Sequence, residues 1–327
     1  MAYSAEVIRL ARQRLESEKA DRESQYRQRL QEAYNQVPRI REIDLQLRKT
    51  MTVAAQAAFL KGEDAQTAME QVMKANLQLQ QERQTLIKRH FAPGFLDEDP
   101  VCSRCSGSGY VGSTMCQCLQ ERCRQEQQKL IDRLTAGNER FSAFRLDYYP
   151  EETDPRYGVS PRRLMERNFQ ICKEYADTFG EKSGNLLFVG NTGLGKTFLS
   201  ACIAAEVAEK GFSVAYESAP RLFERLGKDQ FAGDEQTHAE TAQYKDCDLL
   251  ILDDLGTEMT NQFTVAALYS LVNDRLLSGK STVISTNLNV DEIAQRYSPQ
   301  IASRLRGCYR GLTFLGEDIR VVKNRGL

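Results

Sequence analysis

Gly190-Asn191-Thr192-Gly193-Leu194-Gly195-Lys196-Thr197 decides the fold of this 327-residue chain. An apolar run, Leu186 to Val189, leads into it, and Phe198-Leu199-Ser200-Ala201-Cys202-Ile203-Ala204-Ala205 leads out. The pattern G-x-x-x-x-G-K-[ST] between a buried strand and an amphipathic helix is a P-loop. Its glycines let the backbone wrap an anion, while several N–H groups and a helix N-terminus face the phosphates. On this reading residues Gly190 to Thr197 cradle a nucleoside triphosphate. Lys196 neutralises the β/γ oxygens, and the Thr197 hydroxyl binds Mg²⁺.

Strand-like runs recur downstream at Ser213–Tyr216, Leu249–Leu252, Thr282–Thr286 and Leu312–Leu315, with helical patterns between them. That alternation predicts an α/β fold, a five-stranded parallel sheet covered on both faces. Ligands of such sheets sit at the carboxyl ends of the strands. The run Leu249-Leu250-Ile251-Leu252 ends there in Asp253 and Asp254. One carboxylate holds Mg²⁺ through its water shell and the other polarises an attacking water, so Asp253 is assigned to the metal and Asp254 to the water. Asp254 has a shorter reach than the glutamate usual at that place, and Glu258 is a second candidate for its role. Val283-Ile284-Ser285-Thr286 presents Asn287 at the next strand tip, where an amide can bond the γ-phosphate or orient the water.

GNTGLGKT, LLILDDLGTE, STN and Ser303-Arg304-Leu305-Arg306, in that order, resemble the AAA+ ATPases. Among these the pattern is most similar to the DnaC/DnaI-type loaders of the replicative helicase, from about Phe141 onward. The resemblance implies that Asn287 is the sensor-1 residue and Arg304 an arginine finger reaching a neighbouring subunit's nucleotide. It places Arg320, in Gly316-Glu317-Asp318-Ile319-Arg320, at the sensor-2 position. Only residues 316–327 follow the last strand, too few for the helical lid of most AAA+ proteins, as in DnaC-type chains. A weak, switch-like ATPase is therefore expected, with nothing large closing over the nucleotide from the same chain.

The formal net charge is -1, which gives no global signature of nucleic-acid binding. No apolar run approaches the ~18 residues of a spanning helix, and the N-terminus lacks a signal-peptide pattern. A cytoplasmic protein without membrane contact is expected, and its nine cysteines are then reduced thiols or metal ligands rather than disulfides. Cys102-Ser103-Arg104-Cys105, a Gly-rich turn, and Cys116-Gln117-Cys118 place two thiol pairs where four thiolates can surround Zn²⁺. The first half, C-x-x-C-x-G-x-G, resembles a knuckle of the DnaJ zinc domain, whose glycines let backbone N–H groups approach the sulfurs. DnaI-type loaders also carry a zinc-binding N-terminal module. Cys123 and His90 are reserve ligands, and a redox dithiol is the competing reading.

Residues 1–90 read as about three amphipathic helices broken at Pro38 and at Lys61-Gly62-Glu63-Asp64, a hairpin or small bundle with a face for a partner. Residues 91–124 form the zinc knuckle, 125–161 a helix and an aromatic linker, and 162–327 the ATPase domain. The implied partners are the hexameric replicative helicase, single-stranded DNA and further copies of the chain, assembling head-to-tail through the ATPase domain. For DNA the basic and aromatic candidates are Arg221, Phe223, Arg225 and Lys228, or the stripe Arg304, Arg306, Arg310. The cofactors expected are ATP, Mg²⁺ and Zn²⁺. An IstB-type transposition helper shares the ATPase motifs but is expected to lack the knuckle. A nucleotide-gated adaptor that hydrolyses nothing is a third reading, and a P-loop small-molecule kinase lacks its substrate lid.

Overall fold

The computed structural model describes residues 3–57, 63–134, 139–232 and 235–325. Its contacts divide the chain into two units, Met1–Gln13 with Met115–Leu327, and Arg14–Thr114. The N-terminal helices are α1 (Ala5–Gln36), α2 (Pro38–Ala57) and α3 (Glu63–His90). Proline at the first position of α2 starts that helix as expected, since its fixed φ suits N1 and it donates no N–H. The Lys61-Gly62 part of the second break, and the side chains of Met51, Ala54, Ala58, Met69 and Val72, lie outside the described residues.

Within the smaller unit a narrow core gathers Ala33, Ile40 and Ile43. Asp44 on α2 ties the helices together, accepting from Tyr34 Oη on α1 at 2.8 Å and Arg83 Nε on α3 at 2.7 Å. On α2 and α3, Leu45, Met73 and Leu77 are about half exposed or more. After α3 comes a two-stranded hairpin, β1 (Tyr110–Val111) and β2 (Thr114–Met115).

The larger unit begins its main course with α4 (Gln117–Leu134), followed by two short 3-10 turns at Phe141–Ala143 and Leu146–Tyr148. Then α5 (Pro161–Asp177), β3 (Asn185–Val189), α6 (Lys196–Glu209), β4 (Val214–Ser218), α7 (Ala219–Ala232), α8 (Glu235–Asp246) and β5 (Leu249–Leu255) follow. The chain continues through α9 (Gln262–Leu277), β6 (Ser281–Thr286), α10 (Val290–Arg296), α11 (Pro299–Cys308), β7 (Tyr309–Thr313) and α12 (Ile319–Asn324). The sheet runs β4-β5-β6-β3-β7, and every pairing is parallel. β5 and β6 are buried at nearly every position because helices cover both faces, and so they read as continuous apolar runs.

Two elements depart from the sequence expectation. β7 starts at Tyr309, three residues before the expected run, because an edge strand tolerates the exposed Arg310 and Gly311 that break the apolar pattern. The start of α1 belongs to the larger unit: Tyr3, Val7 and Ala11 are buried, and Tyr3 Oη donates to Gly211 O at 3.2 Å. α4 closes the β4 edge of the sheet. The Gln127 amide donates to Phe212 O and accepts from Val214 N, both at 2.9 Å, pairing the outer backbone as another strand would.

Arg275 on α9, only 1% exposed, knits the sheet's lower end. Its Nη1 donates to Tyr244 O, Lys245 O and Cys247 O at the end of α8, Nη2 to Ser281 O, and Nε to Thr282 Oγ1. The carbonyl dipoles of a helix C-terminus hold the cation where no carboxylate does. Arg275→Met leaves those carbonyls unpaired and is expected to cost about 2–4 kcal/mol, read as a lower urea midpoint at unchanged m-value.

Candidate functional site

The P-loop leaves β3 at Gly190, where a side chain has no room. A Cβ there would fall 2.5 Å from Phe314 O, because Phe314 N also donates to Val189 O at 2.7 Å and draws the strand after β7 tight. Gly193, at φ +75°, faces the C-terminal segment: a Cβ would fall 2.1 Å from the Asp318 carboxyl. Ile319 N donates to Gly193 O at 2.9 Å, so α12 rests on the loop itself. α12 has only six residues, in keeping with the expectation of no large helical lid from the same chain. Gly193→Ala puts a Cβ into the αL region and displaces Asp318, and we expect it to weaken ATP binding by about tenfold or more in a titration calorimeter.

The loop and α12 border a cavity of about 470 Å³ at the carboxyl ends of the strands. Thr192 through Thr197, Asp254, Asn287 and Arg320 all line it. Gly190 and Asn191 act through their carbonyls: Lys196 Nζ donates to Gly190 O at 2.6 Å, to Asn191 O at 2.7 Å and to Asn287 Oδ1 at 2.7 Å. Burial pulls the Lys196 ammonium below its ordinary pKa, against the opposing pull of Asp254 and Asp253. A polyphosphate offers that buried cation stronger acceptors than two carbonyls and an amide.

The two acids of β5 separate. Asp253 is buried, accepting from Tyr216 Oη of β4 at 2.9 Å and from Ser285 Oγ of β6. Burial and the Asp253 carboxylate push the Tyr216 hydroxyl well up. Asp254 takes φ +55° at the point where β5 slips register against β6, with its N–H donating to Ser285 Oγ at 3.0 Å. Aspartate tolerates that left-handed backbone better than most residues, and the bulge turns this side chain into the cavity. Desolvation and the Asp253 charge raise the Asp254 carboxyl, with Lys196 and Arg320 pulling it back. Glu258 is turned away: its carboxylate accepts from Gly256 N and Tyr297 Oη, and it does not line the cavity.

Four wall residues escaped the sequence reading. Phe144 stacks on Phe169 with ring centroids 4.9 Å apart, and Tyr149 donates its hydroxyl to Leu194 O at 3.0 Å. Lys323 lies 5.3 Å over the Tyr148 ring and lines the cavity with it. The aromatic passage at 141–150 was legible as a segment packing onto the ATPase domain, and Phe141, Phe144, Tyr148 and Tyr149 do so. Nothing in the spacing of Lys323 pointed to a nucleotide.

Arg304 stands apart from the cavity, on α11, bonded to Tyr269 and Asn273 of α9. Of the basic candidates for DNA, Phe223 is 4% exposed and cannot stack on a base. Arg225 pairs with Glu217 at 3.4 Å, Lys228 with Glu224 at 2.7 Å and Arg306 with Asp291 at 2.9 Å. Arg221 and Arg310 remain as exposed residues.

At the β1–β2 hairpin the Sγ atoms of Cys102, Cys105, Cys116 and Cys118 lie within 4.8 Å of one another. Four thiolates about 2.3 Å from a tetrahedral Zn²⁺ are about 3.8 Å apart, so the donor set fits that ion. Gly109 N donates to Cys105 Sγ at 3.3 Å, a contact that the positive φ of Ser106, Gly107 and Gly109 allows. Cys123 and His90 are outside the cluster. Cys123 is fully buried, and burial pushes its thiol up to about 11.

Comparison with known proteins bears on the ATPase unit. Residues 161–303 match the family model for the IstB-like ATP binding protein. An insertion-sequence ATP-binding protein of Sinorhizobium fredii is 30% identical over 198 residues, 58% of this chain and 76% of its own length. The replicative helicase loader DnaC of Escherichia coli is 24% identical over 154 residues, 47% of this chain and 59% of its own. A crystal structure of the DnaC helicase loader aligns with TM-score 0.46 at 21% identity, covering 54% of this chain and 97% of that one. No described helix is long and apolar enough to cross a membrane. With a P-loop, the strand-tip acid Asp254 and the Asn287 amide around one cavity, this chain is a P-loop ATPase and belongs to the IstB-like ATP binding proteins, the group it shares with relatives named DnaC and DnaI.

Proposed function

We propose that this ATPase is a loader that grips the replicative helicase and delivers it onto single-stranded DNA, with slow hydrolysis as the release step. The observation that carries the reading is the four-thiol cluster ahead of the ATPase unit. A zinc-bearing N-terminal module marks the DnaI-type loaders in the resemblance drawn above, and transposition helpers are expected to lack one. Cys102, Cys105, Cys116 and Cys118 would hold Zn²⁺ as a closed structural site with no position left for catalysis. The exposed apolar side chains Leu45, Met73 and Leu77 give the N-terminal unit apolar contacts for the helicase.

In the ATPase unit, Lys196 and the P-loop N–H groups hold the phosphates. Thr197 and Asp253 would hold Mg²⁺, which would supply positive charge to the triphosphate. Tyr216 and Ser285 set the Asp253 carboxylate behind the cavity wall. Asp254 orients the attacking water, Asn287 links that water to Lys196, and Arg320 draws charge from the γ-phosphate. Arg304 acts on the nucleotide of the next copy, which makes turnover conditional on assembly.

The 30% identity to an insertion-sequence protein favours a second reading, a transposition helper that assembles on duplex DNA. One assay separates them. Host helicase, this protein and ATP are incubated with a closed single-stranded DNA circle carrying an annealed strand. Strand release that depends on this protein supports the loader. No release, together with ATP-dependent assembly on duplex DNA, overturns it.

A further inference from the structure

Two arginines of α11 are treated differently by their surroundings. Arg306 is neutralised by Asp291 at 2.9 Å. Arg304 is held by neutral groups alone, from two residues of α9 one helical turn apart. Its Nη2 donates to Tyr269 Oη at 2.8 Å and to Asn273 Oδ1 at 2.9 Å, and Nε reaches the same Oδ1 at 3.2 Å. The guanidinium carbon lies 4.5 Å from the centre of the Tyr269 ring. Nε and Nη2 are thus engaged, while Nη1 makes no hydrogen bond to any described residue. Tyr269 is 36% exposed, so the arrangement opens to solvent.

We propose that Tyr269 and Asn273 are positioning residues for Arg304. They fix the rotamer of the guanidinium but leave its charge and its Nη1 edge for an anionic oxygen carried by a second copy of this chain. The inference rests on the trans role proposed for Arg304. A carboxylate at either position would hold the arginine better and cancel the charge the neighbour needs. Arginine carries a large rotamer entropy, and ordering it beforehand removes a cost otherwise met at the moment of engagement.

The test mixes two full-length proteins. A donor carrying Asp254→Asn has no turnover of its own but keeps Arg304, and an acceptor carrying Arg304→Ala keeps its own site. Their mixture is expected to regain ATP turnover. Tyr269→Ala added to the donor should lower kcat of the mixture by about tenfold at unchanged KM for ATP, and Tyr269→Phe, which keeps the ring face, by less. Added to the acceptor, the same change should leave the mixture as it was. Asn273→Asp in the donor is the sharper variant, because it strengthens a tie between α9 and α11 yet neutralises the guanidinium. The proposal expects turnover to fall, and a purely structural tie leaves it intact. Full turnover with Asn273→Asp, or a loss that ignores which copy is altered, overturns the positioning role while the trans role stands. No turnover in the parent mixture overturns both.

Discussion

Cys102→Ser protein is expected to lose its zinc and the order of its knuckle while still binding ATP. The stretch from Cys102 to Cys118 has little else to hold it: two strands of two residues each, and buried side chains that are mostly the cysteines themselves. Structural zinc in small finger modules contributes about 10–16 kcal/mol of apparent binding free energy at neutral pH, and at this hairpin it would count toward folding. Serine removes one thiolate of four and leaves a net weaker, open site. Elemental analysis should find about one zinc per chain in the parent protein and none in the variant. Limited proteolysis should then cut within 100–116. ATP affinity should not change, because the P-loop is built on the core formed by β3, α6 and β5. A chelator should reproduce the cut pattern in the parent. Purified parent protein without zinc, but with a reversible disulfide among these cysteines, would favour the redox reading instead.

Arg304→Ala should lower kcat for ATP by about 10³-fold or more with little change in KM, since an arginine supplied in trans acts on the charge that develops in the transition state. The geometry favours a trans role, because Arg304 lies outside the cavity formed by its own chain. Turnover per chain in the parent should rise with protein concentration as copies meet, and in Arg304→Ala it should stay flat. A parent rate that is independent of concentration, or an equal rate in the variant, would assign Arg304 to a structural contact with Tyr269.

That the strand-end residues meet at one cavity was legible in the sequence because their placement is local. Gly190 to Thr197, Asp254 and Asn287 each sit at a strand end, and a parallel sheet brings all strand ends together. The separation of Asp253 from Asp254 was not legible. It depends on a register slip between β5 and β6 and on Tyr216 and Ser285, which are distant in sequence and carry no motif. Lys323 and Tyr148 were missed for the same reason: they meet only because α12 folds back onto the P-loop. Phe223 failed as a base-stacking candidate because the apolar face of α7 that it shares with Leu222 is the core face. At the N-terminus Tyr3, Val7 and Ala11 recur every four residues, a buried stripe that the reading of residues 1–90 did not single out. That the stripe belongs with the ATPase unit rather than with the helices that follow needed the three-dimensional arrangement.

An ATP-gated grip on the helicase should show in the mass of the complex in solution. The full-length protein is mixed with the replicative helicase of its own host and run on size exclusion with mass determination, under ATP and under ADP. A stable complex is expected that depends on the nucleotide and is lost in the protein carrying Cys102→Ser and Cys105→Ser, a loss that would put the contact in the N-terminal half. Absence of a complex under both nucleotides would contradict it.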